Sequence, residues 1–352
     1  MPVENIQIGT RSIGPGHPPF VIAEMSGNHN QSLERGLAIV DAAAAAGVHA
    51  LKLQTYTADT MTLDLAQGDF WIDDPTSLWH GKSLHQLYQE AHTPWEWHQP
   101  ILERCRQHGI LGFSTPFDAT AVDFLETLEV PLYKVASFES GDLALLRRIA
   151  ATGKPMIIST GMATVADLHQ TVTTAQQAGC RELILLKCTS SYPATPEHSH
   201  LRTIPHLREL FGVQVGLSDH TLGLGVAAAA VALGATVIEK HFTLDRAEGG
   251  VDAAFSLEPR EMAALVVETK RAWQALGEVR YGDPEAEQGS LRFRRSLYIV
   301  QDMKAGEALT EANLRAIRPG YGLAPHCLDQ VLGLRVRGDV ARGTALAWDL
   351  LK

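Results

Sequence analysis

Short apolar and β-branched runs alternate along the chain with longer stretches in which apolar positions recur about every three or four residues. The short runs are PFVIAEMS (19 to 26), ALKLQT (50 to 55), ILGFSTP (110 to 116), LYKVASFE (132 to 139), PMIISTG (155 to 161), LILLKCTS (183 to 190), VQVGLSDH (213 to 220) and TVIEKHFT (236 to 243). Each is followed by a helix-like stretch, so the pattern is that of βα units building a parallel sheet. Eight units within about 250 residues predict an α/β fold of the (β/α)8, or TIM-barrel, kind rather than an open sheet.

Local signals mark the ends of elements. In SLERGLAIVDAAAAAG, Ser32 has the character of an N-cap and Gly47 that of a stop. In TPWEWH, Thr93, Pro94 and Glu96 are expected to serve as N-cap, first-turn proline and capping-box partner. IQIGTRSIGPG, ahead of the first strand, predicts a small hairpin over the lower mouth of the barrel. The connection over residues 56 to 97 is the longest and carries Trp71, Trp79, Trp95 and Trp97 with Tyr56, Phe70 and Tyr88. A lid or binding loop and a locally packed surface excursion are equally compatible with that length and content.

Periodicity is lost over EVRYGDPEAEQGSLR, which gathers charge, Gly and Pro as linkers do. The expected organisation is a catalytic barrel with its hairpin over 1 to 280, a linker over 281 to 292 and a small domain over 293 to 352. Within the small domain, QDMKAGEALTEANL and GDVARGTALAWDLL align Asp302 with Asp339, Gly306 with Gly343, Leu309 with Leu346, and Leu314 with Leu351. Two copies suggest a pseudo-symmetric, β-rich fold rather than a solenoid.

Barrel enzymes carry their chemistry at the C-terminal ends of the strands. Glu24, Lys52, Gln54, Ser114, Thr115, Lys134, Ser137, Glu139, Ser159, Thr160, Ser190, Tyr192, Ser218, Asp219, His220, Glu239 and His241 all fall there. Strand ends emerge into water in any protein, which accounts for hydroxyls taken singly. Charged groups inside strands are harder to dismiss, because Lys and Glu are seldom buried unless paired. The period of two sets Val237, Glu239 and His241 on one face and Ile238, Lys240 and Phe242 on the other. Glu239 and His241 are therefore expected at the mouth, with Lys240 a structural lysine pointing outward.

His220 and His241 end adjacent strands, where two imidazoles can share one divalent cation, with Glu24 or another carboxylate and water completing the shell. Lys52 and Lys134, with the hydroxyls of Thr115, Ser137, Ser159 and Ser218, suit a phosphate. His108, His198 and His200 read as solvated or ordinary packing residues.

Composition narrows the partners. At 352 residues with 45% hydrophobic content, the chain can bury a large core. A formal net charge of −10 argues against a nucleic-acid surface or a polybasic membrane anchor, so an anionic ligand must be held by a few local cations. Cys105, Cys180, Cys188 and Cys327 form no CxxC pair and are expected to be buried, reduced thiols. MPVENIQIGTRSIG lacks the basic and apolar regions of a signal peptide, and VAAAAVALGATVI is too short and Gly-interrupted to cross a bilayer. A cytoplasmic location is expected.

IAEMSGNHNQSLE, LKLQTYT, FSTPFD, YKVASFE, ISTGM, KCTSSYP, GLSDHT and EKHFTLD, in this order, resemble the sialic acid synthase family, whose members condense phosphoenolpyruvate with an amino-sugar aldehyde to nonulosonic acids. FRRSLYIVQDMKAGEALTEANLRAIRPGYG resembles the antifreeze-like (SAF) domain that closes these enzymes. The resemblance implies that His220 and His241 bind a divalent cation, most often manganese, with magnesium or cobalt as alternatives, and with Glu24 close by. It implies that Lys52, Thr115, Lys134, Ser137, Ser159 and Ser218 surround phosphoenolpyruvate. Glu139, Tyr192, Glu239 and Asp252 would line the sugar site. Arg318 would reach from the small domain of the partner in a domain-swapped homodimer. Where the neuraminic branch usually has Asn, this chain has Ser190 at a phosphate or sugar contact. GGVDAAFSLEP and TSLWHGKSLHQLYQEAHTPWEWH resemble the pseudaminic acid synthase branch, implying 2,4-diacetamido-2,4,6-trideoxy-L-altrose as the sugar and flagellin or a surface polysaccharide as the destination of the product.

Under this reading Glu24, Lys134, Glu139 and Glu239 are the candidate catalytic residues, with the proton carrier left open between Glu24 and Glu139. Within the family, an N-acetylneuraminic or legionaminic acid synthase is the alternative, and two further readings remain. One is a different phosphoenolpyruvate-dependent aldol-type synthase, disfavoured by the C-terminal repeat domain. The other is a carbohydrate- or ice-binding module, which leaves the polar ring unexplained.

Overall fold

The computed structural model describes residues 3 to 282 and 285 to 352 and resolves into two compact units, one ending at Gly277 and the other beginning at Glu278. Asp283 and Pro284, within the expected linker, lie outside the described residues.

The first unit holds β1 (Ile6–Ile8), β2 (Arg11–Ile13), β3 (Phe20–Glu24), β4 (Ala50–Thr55), β5 (Leu111–Pro116), β6 (Tyr133–Val135), β7 (Met156–Ser159), β8 (Leu183–Cys188), β9 (Gln214–Asp219) and β10 (Val237–His241). Strands β3 to β10 run parallel and close into an eight-stranded barrel, β10 returning to β3 with His241 opposite Glu24. The eight runs seen in the sequence are these eight strands. Several stop earlier than the apolar run suggested: β6 ends at Val135, and Ser137–Glu139 turns as a short 3-10 helix. The chain there has passed the barrel rim, where no neighbouring strand remains to take its hydrogen bonds.

Alternation along the strands divides the core in two. Ile22, Ala50, Phe113, Ile157, Ile184, Leu186 and Val237 point inward and fill the lower barrel, and the β1–β2 hairpin adds Ile6, Ile8 and Ile13 to the same cluster as a plug. Val21, Leu51, Leu53, Ile158, Leu185, Val215 and Ile238 point outward against the helices. At Gly216 a β-carbon would meet the Val237 carbonyl oxygen at 2.3 Å, so β9 packs there at a distance only glycine permits.

Ser32 caps helix Leu33–Ala45, accepting from the Arg35 amide at 3.2 Å, and Gly47 turns the chain with φ +84°. The expected cap at Thr93 does not form. Helix Trp95–Gln107 has Pro94 at its N-cap and no side-chain cap bond, because buried Thr93 faces His29 at 3.2 Å instead.

Lys240 lies on the outward face of β10, fully buried, with its ammonium 2.8 Å from Asp219 Oδ2 on β9. It also donates to the Thr221 and Gly223 carbonyls at 2.5 and 3.2 Å. Asp219 in turn accepts from the Thr221 amide and hydroxyl at 3.0 and 2.8 Å. Both partners are thus satisfied, and the network ties together the two strand ends that carry His220 and His241.

The second unit pairs β11 (Ser296–Ile299) antiparallel with β12 (Leu314–Ile317). The repeat has a structural counterpart. Asp302 accepts from the Arg342 amide at 2.8 Å and Asp339 from the Ala305 amide at 2.9 Å, while Met303 and Val340 exchange backbone bonds. Gly306 and Gly343 turn with φ +85° and +91°, and Leu309, Leu314, Leu346 and Leu351 are buried. Among the described residues, no helix is long and apolar enough to cross a membrane.

Replacing Lys240 by Met should lower stability by about 3 to 5 kcal/mol, because it strands a buried Asp219 carboxylate. Adding Asp219→Asn to that variant should restore part of the loss. Urea unfolding of the single and double variants measures this, and a single variant as stable as the parent would contradict the role given to the pair.

Candidate functional site

The C-terminal ends of the strands open into a cavity of about 450 Å³. Glu24, Lys52, Lys134, Ser137, Glu139, Ser159, Ser190, Tyr192, Ser218, His220, Glu239, His241 and Asp252 all line it. Thr115 does not; it sits just beneath, 3.1 Å from Lys52 Nζ. Arg318 is exposed on the second unit, following β12.

The floor is a buried network of four charges. Lys52 Nζ contacts Glu24 Oε2 closely and lies 3.9 Å from Glu239 Oε2, while Lys134 Nζ lies 3.2 Å from Glu239 Oε1. Gln54 donates to Glu24 at 3.0 Å and Ser218 to Glu239 at 3.1 Å. The four ionisable groups respond differently to burial. Burial raises the Glu24 carboxyl to about 7 although Lys52 opposes it. Burial also works against charge on Glu239, but Lys134 and Lys52 outweigh it and hold that carboxyl below its usual range. Desolvation lowers Lys134, whereas Lys52 is raised because Glu239 and Glu24 overcome its desolvation. One carboxyl of the pair therefore exchanges its proton around neutrality while the other stays ionised.

Above this floor the two imidazoles stand with ring centroids 5.3 Å apart, and Phe255 packs edge-on against both. His220 Nδ1 donates to the Thr189 carbonyl at 2.9 Å, which leaves Nε2 as its lone-pair nitrogen. His241 Nδ1 is buried without a hydrogen-bond partner, 3.8 Å from Asp252 Oδ2, and desolvation with the nearby His220 drives that imidazole well below its usual pKa. Asp252 is itself bonded by Ser26. A neutral imidazole with a lone pair is the form that binds a metal, and His241 is held in it. Burial lowers His220 too, but Cys188 and the Thr189 carbonyl outweigh it and raise that imidazole, so His220 would give up its Nε2 proton on joining a divalent cation. Among the described residues no three His, Cys, Asp or Glu side chains gather into a metal cluster, so the remaining positions would fall to water or substrate oxygens. Glu24 is committed to Lys52 and Gln54.

Leaving aside Glu24 Oε2, which Lys52 meets, seven buried side-chain polar atoms have no hydrogen-bond partner among the described residues, and four of them, Glu139 Oε2, Ser159 Oγ, Glu239 Oε2 and His241 Nδ1, belong to residues lining this one cavity. Such atoms are rare in folded proteins, and clustering at one cavity marks it as a ligand site.

Several lining residues escaped the sequence reading. Cys188 faces His220 at 4.0 Å; burial raises its thiol, but the His220 bond and charge prevail and bring it to about 7. Its place on the inward face, two residues before Ser190, was the available signal. Ser26 also lines the cavity from the turn after β3, and Phe255, from the 249 to 256 loop, packs against the imidazoles without lining it; nothing in the periodicity marks either. The 56 to 97 connection does both things its length allowed. Tyr56, Met61, Ile72, Trp79, Leu84, Leu87 and Tyr88 line the cavity, whereas Trp95 stacks on Phe124 at 4.6 Å and Trp97 meets His29 edge-on at 5.5 Å.

Comparison with known proteins gives consistent matches. The NeuB family pattern matches residues 39 to 281 and the SAF domain pattern residues 294 to 352. The chain is 42% identical over 327 residues to a pseudaminic acid synthase of Campylobacter jejuni, covering 93% of this chain and 95% of that protein. It is 33% identical over 347 residues to an N,N'-diacetyllegionaminic acid synthase of Legionella pneumophila, covering 97% of each. Among solved structures, an N-acetylneuraminic acid synthetase of Leptospira borgpetersenii in complex with citrate superposes with a TM-score of 0.73 at 32% identity, covering 83% of this chain and 96% of that one.

Burial raises the Glu139 carboxyl to about 7 from an ordinary 4.5. Between those values the folded protein holds a proton that the unfolded chain has released, so stability should fall as pH rises through that window. Glu139→Gln should flatten this slope. Unfolding free energies at pH 5 and 7.5 for both proteins check the sign; identical slopes would show that Glu139 titrates normally.

Proposed function

The chain belongs to the NeuB family, and on that premise we propose that it is a pseudaminic acid synthase, condensing phosphoenolpyruvate with 2,4-diacetamido-2,4,6-trideoxy-L-altrose and water to give pseudaminic acid and phosphate. The reaction class rests on the family and on relatives that are sugar-acid synthases over nearly their whole length. The choice of sugar is supported by the 42% identity to a pseudaminic acid synthase, against 33% for a legionaminic one.

The reading rests on the cavity floor, where Lys134 is engaged by Glu239 alone, Lys52 by Glu24 and Thr115, and the Ser159 hydroxyl lining the same cavity has no partner. Lys52 and Lys134 would hold the phosphate and carboxylate of phosphoenolpyruvate, with Ser137, Ser159 and Ser218 donating to their oxygens and Thr115 fixing Lys52. C3 of phosphoenolpyruvate attacks the aldehyde carbon, forming the C–C bond, and the aldehyde oxygen takes up a proton. C2 then takes up water, which releases a proton, and the tetrahedral product expels phosphate by C–O cleavage. Glu24 and Glu139, both brought to about 7 by burial, can each give or take a proton near neutral pH. Asp252, Tyr192 and Ser190 are assigned to the sugar. His220 and His241 would hold a divalent cation, manganese in our reading, which polarises the aldehyde when bound.

We assign Arg318 to the active site of a partner subunit in a domain-swapped homodimer. A product destined for flagellin or a surface polysaccharide fits the same reading. Neither a nucleic acid nor a membrane is needed by it.

Phosphate release with manganese and phosphoenolpyruvate should be fastest with the altrose sugar, compared with its legionaminic-type counterpart and N-acetylmannosamine. Preference for the legionaminic-type sugar would move the enzyme to that branch. His241→Ala should lose metal-dependent turnover by at least about 100-fold with little change in melting temperature; a variant active without metal would overturn the metal assignment.

A further inference from the structure

The cavity has two chemically opposite walls. The strand ends supply charged groups and imidazoles, whereas the side formed by the 56 to 91 stretch presents Met61, Ile72, Leu84, Leu87 and Tyr88 and no charge. This second wall is built and pinned rather than loose. The Ile72 amide donates to the Lys82 carbonyl at 3.0 Å and the Gly81 amide to Ile72 at 2.9 Å, closing a tight loop. Ser83 then caps helix Leu84–Ala91 through a reciprocal box with Gln86. At the loop tip, the Trp79 indole donates to the Val251 carbonyl at 3.0 Å and leans on Tyr192, joining the wall to the opposite side of the cavity.

Phosphoenolpyruvate satisfies the floor but has only a methylene to offer an apolar surface. An apolar wall this extensive calls for a second ligand with methyl groups. The geometry points to Met61, Ile72, Leu84 and Leu87 as a specificity subsite for the methyl groups of the sugar, its C6 methyl and an acetamido methyl, acting against sugars with a C6 hydroxymethyl. The assignment rests on the synthase reading above and deepens it. A hydroxyl carried to this wall would leave water and find no partner, and a missing methyl would leave the wall unfilled.

The test is steady-state phosphate release from the manganese-loaded full-length protein, varying each sugar and phosphoenolpyruvate separately. Ile72→Ser and Leu84→Asn are the variants, chosen because both side chains line this cavity and not the neighbouring one that shares Trp79, Leu87 and Val251. Each should raise KM for the diacetamido-trideoxy sugar about 10- to 100-fold and shrink its advantage over N-acetylmannosamine by a similar factor. KM for phosphoenolpyruvate should stay within about 2-fold, which also shows that the barrel has folded. Unchanged selectivity in either folded variant overturns the subsite. Wild-type measurements separate this from the branch assignment: preference for the legionaminic-type sugar, which carries the same methyl groups, overturns the pseudaminic reading and supports the subsite. Preference for N-acetylmannosamine overturns both.

Discussion

Two lysines and two glutamates lie together on the floor of the barrel mouth, each buried and each compensated by another. Isolated, any one of them would be expelled or neutralised by its desolvation cost, which runs to several kcal/mol per ion. Held as a set, they stay in place because the closed barrel brings β3, β4, β6 and β10 to one point and because Gln54, Ser218 and Thr115 bond the heads. The rest of the site follows from this constraint. An anion entering the cavity meets ammonium groups already desolvated and oriented, where electrostatic attraction is less screened than in water.

The strand period makes such a site compatible with a stable fold. Inward positions low in the barrel are apolar and continue into the hairpin plug, while the inward positions near the rim are charged or polar. Outward positions pack against helices, and a buried ion pair sits among them. Lys240 carries a charge into that outer layer and is fully met by Asp219 and two carbonyls. The sequence Glu239-Lys240-His241 thus places one residue each in floor, scaffold and imidazole pair. Stability and chemistry are assigned by parity along a single strand.

That parity is why so much was legible in advance. Short apolar runs between helix-like stretches marked all eight barrel strands, the period of two marked the outward lysine, and the two Gly and Asp positions of the C-terminal repeat marked its pseudo-symmetry. Legibility fails where a residue's setting is fixed by a distant segment. Thr93 reads as a helix cap by local pattern, but His29 captures its hydroxyl. Phe255 separates into the site only through a loop that returns after β10, and Cys188 reads as an ordinary buried thiol until His220 is placed beside it. The apolar side of the cavity is the largest such feature, since its residues are scattered through an irregular connection with no period to expose them.

Whether the buried lysines hold phosphoenolpyruvate can be measured by direct binding, which depends on neither turnover, metal nor sugar. Titration calorimetry of phosphoenolpyruvate into the protein, into Lys134→Met and into Lys52→Met/Lys134→Met is the measurement. Binding by the parent should saturate, weaken by about 10- to 100-fold in the single variant and be lost in the double variant, each lysine contributing charge-assisted hydrogen bonds of about 1.5 to 3 kcal/mol. Binding of undiminished affinity by a folded double variant would contradict the role given to the lysines.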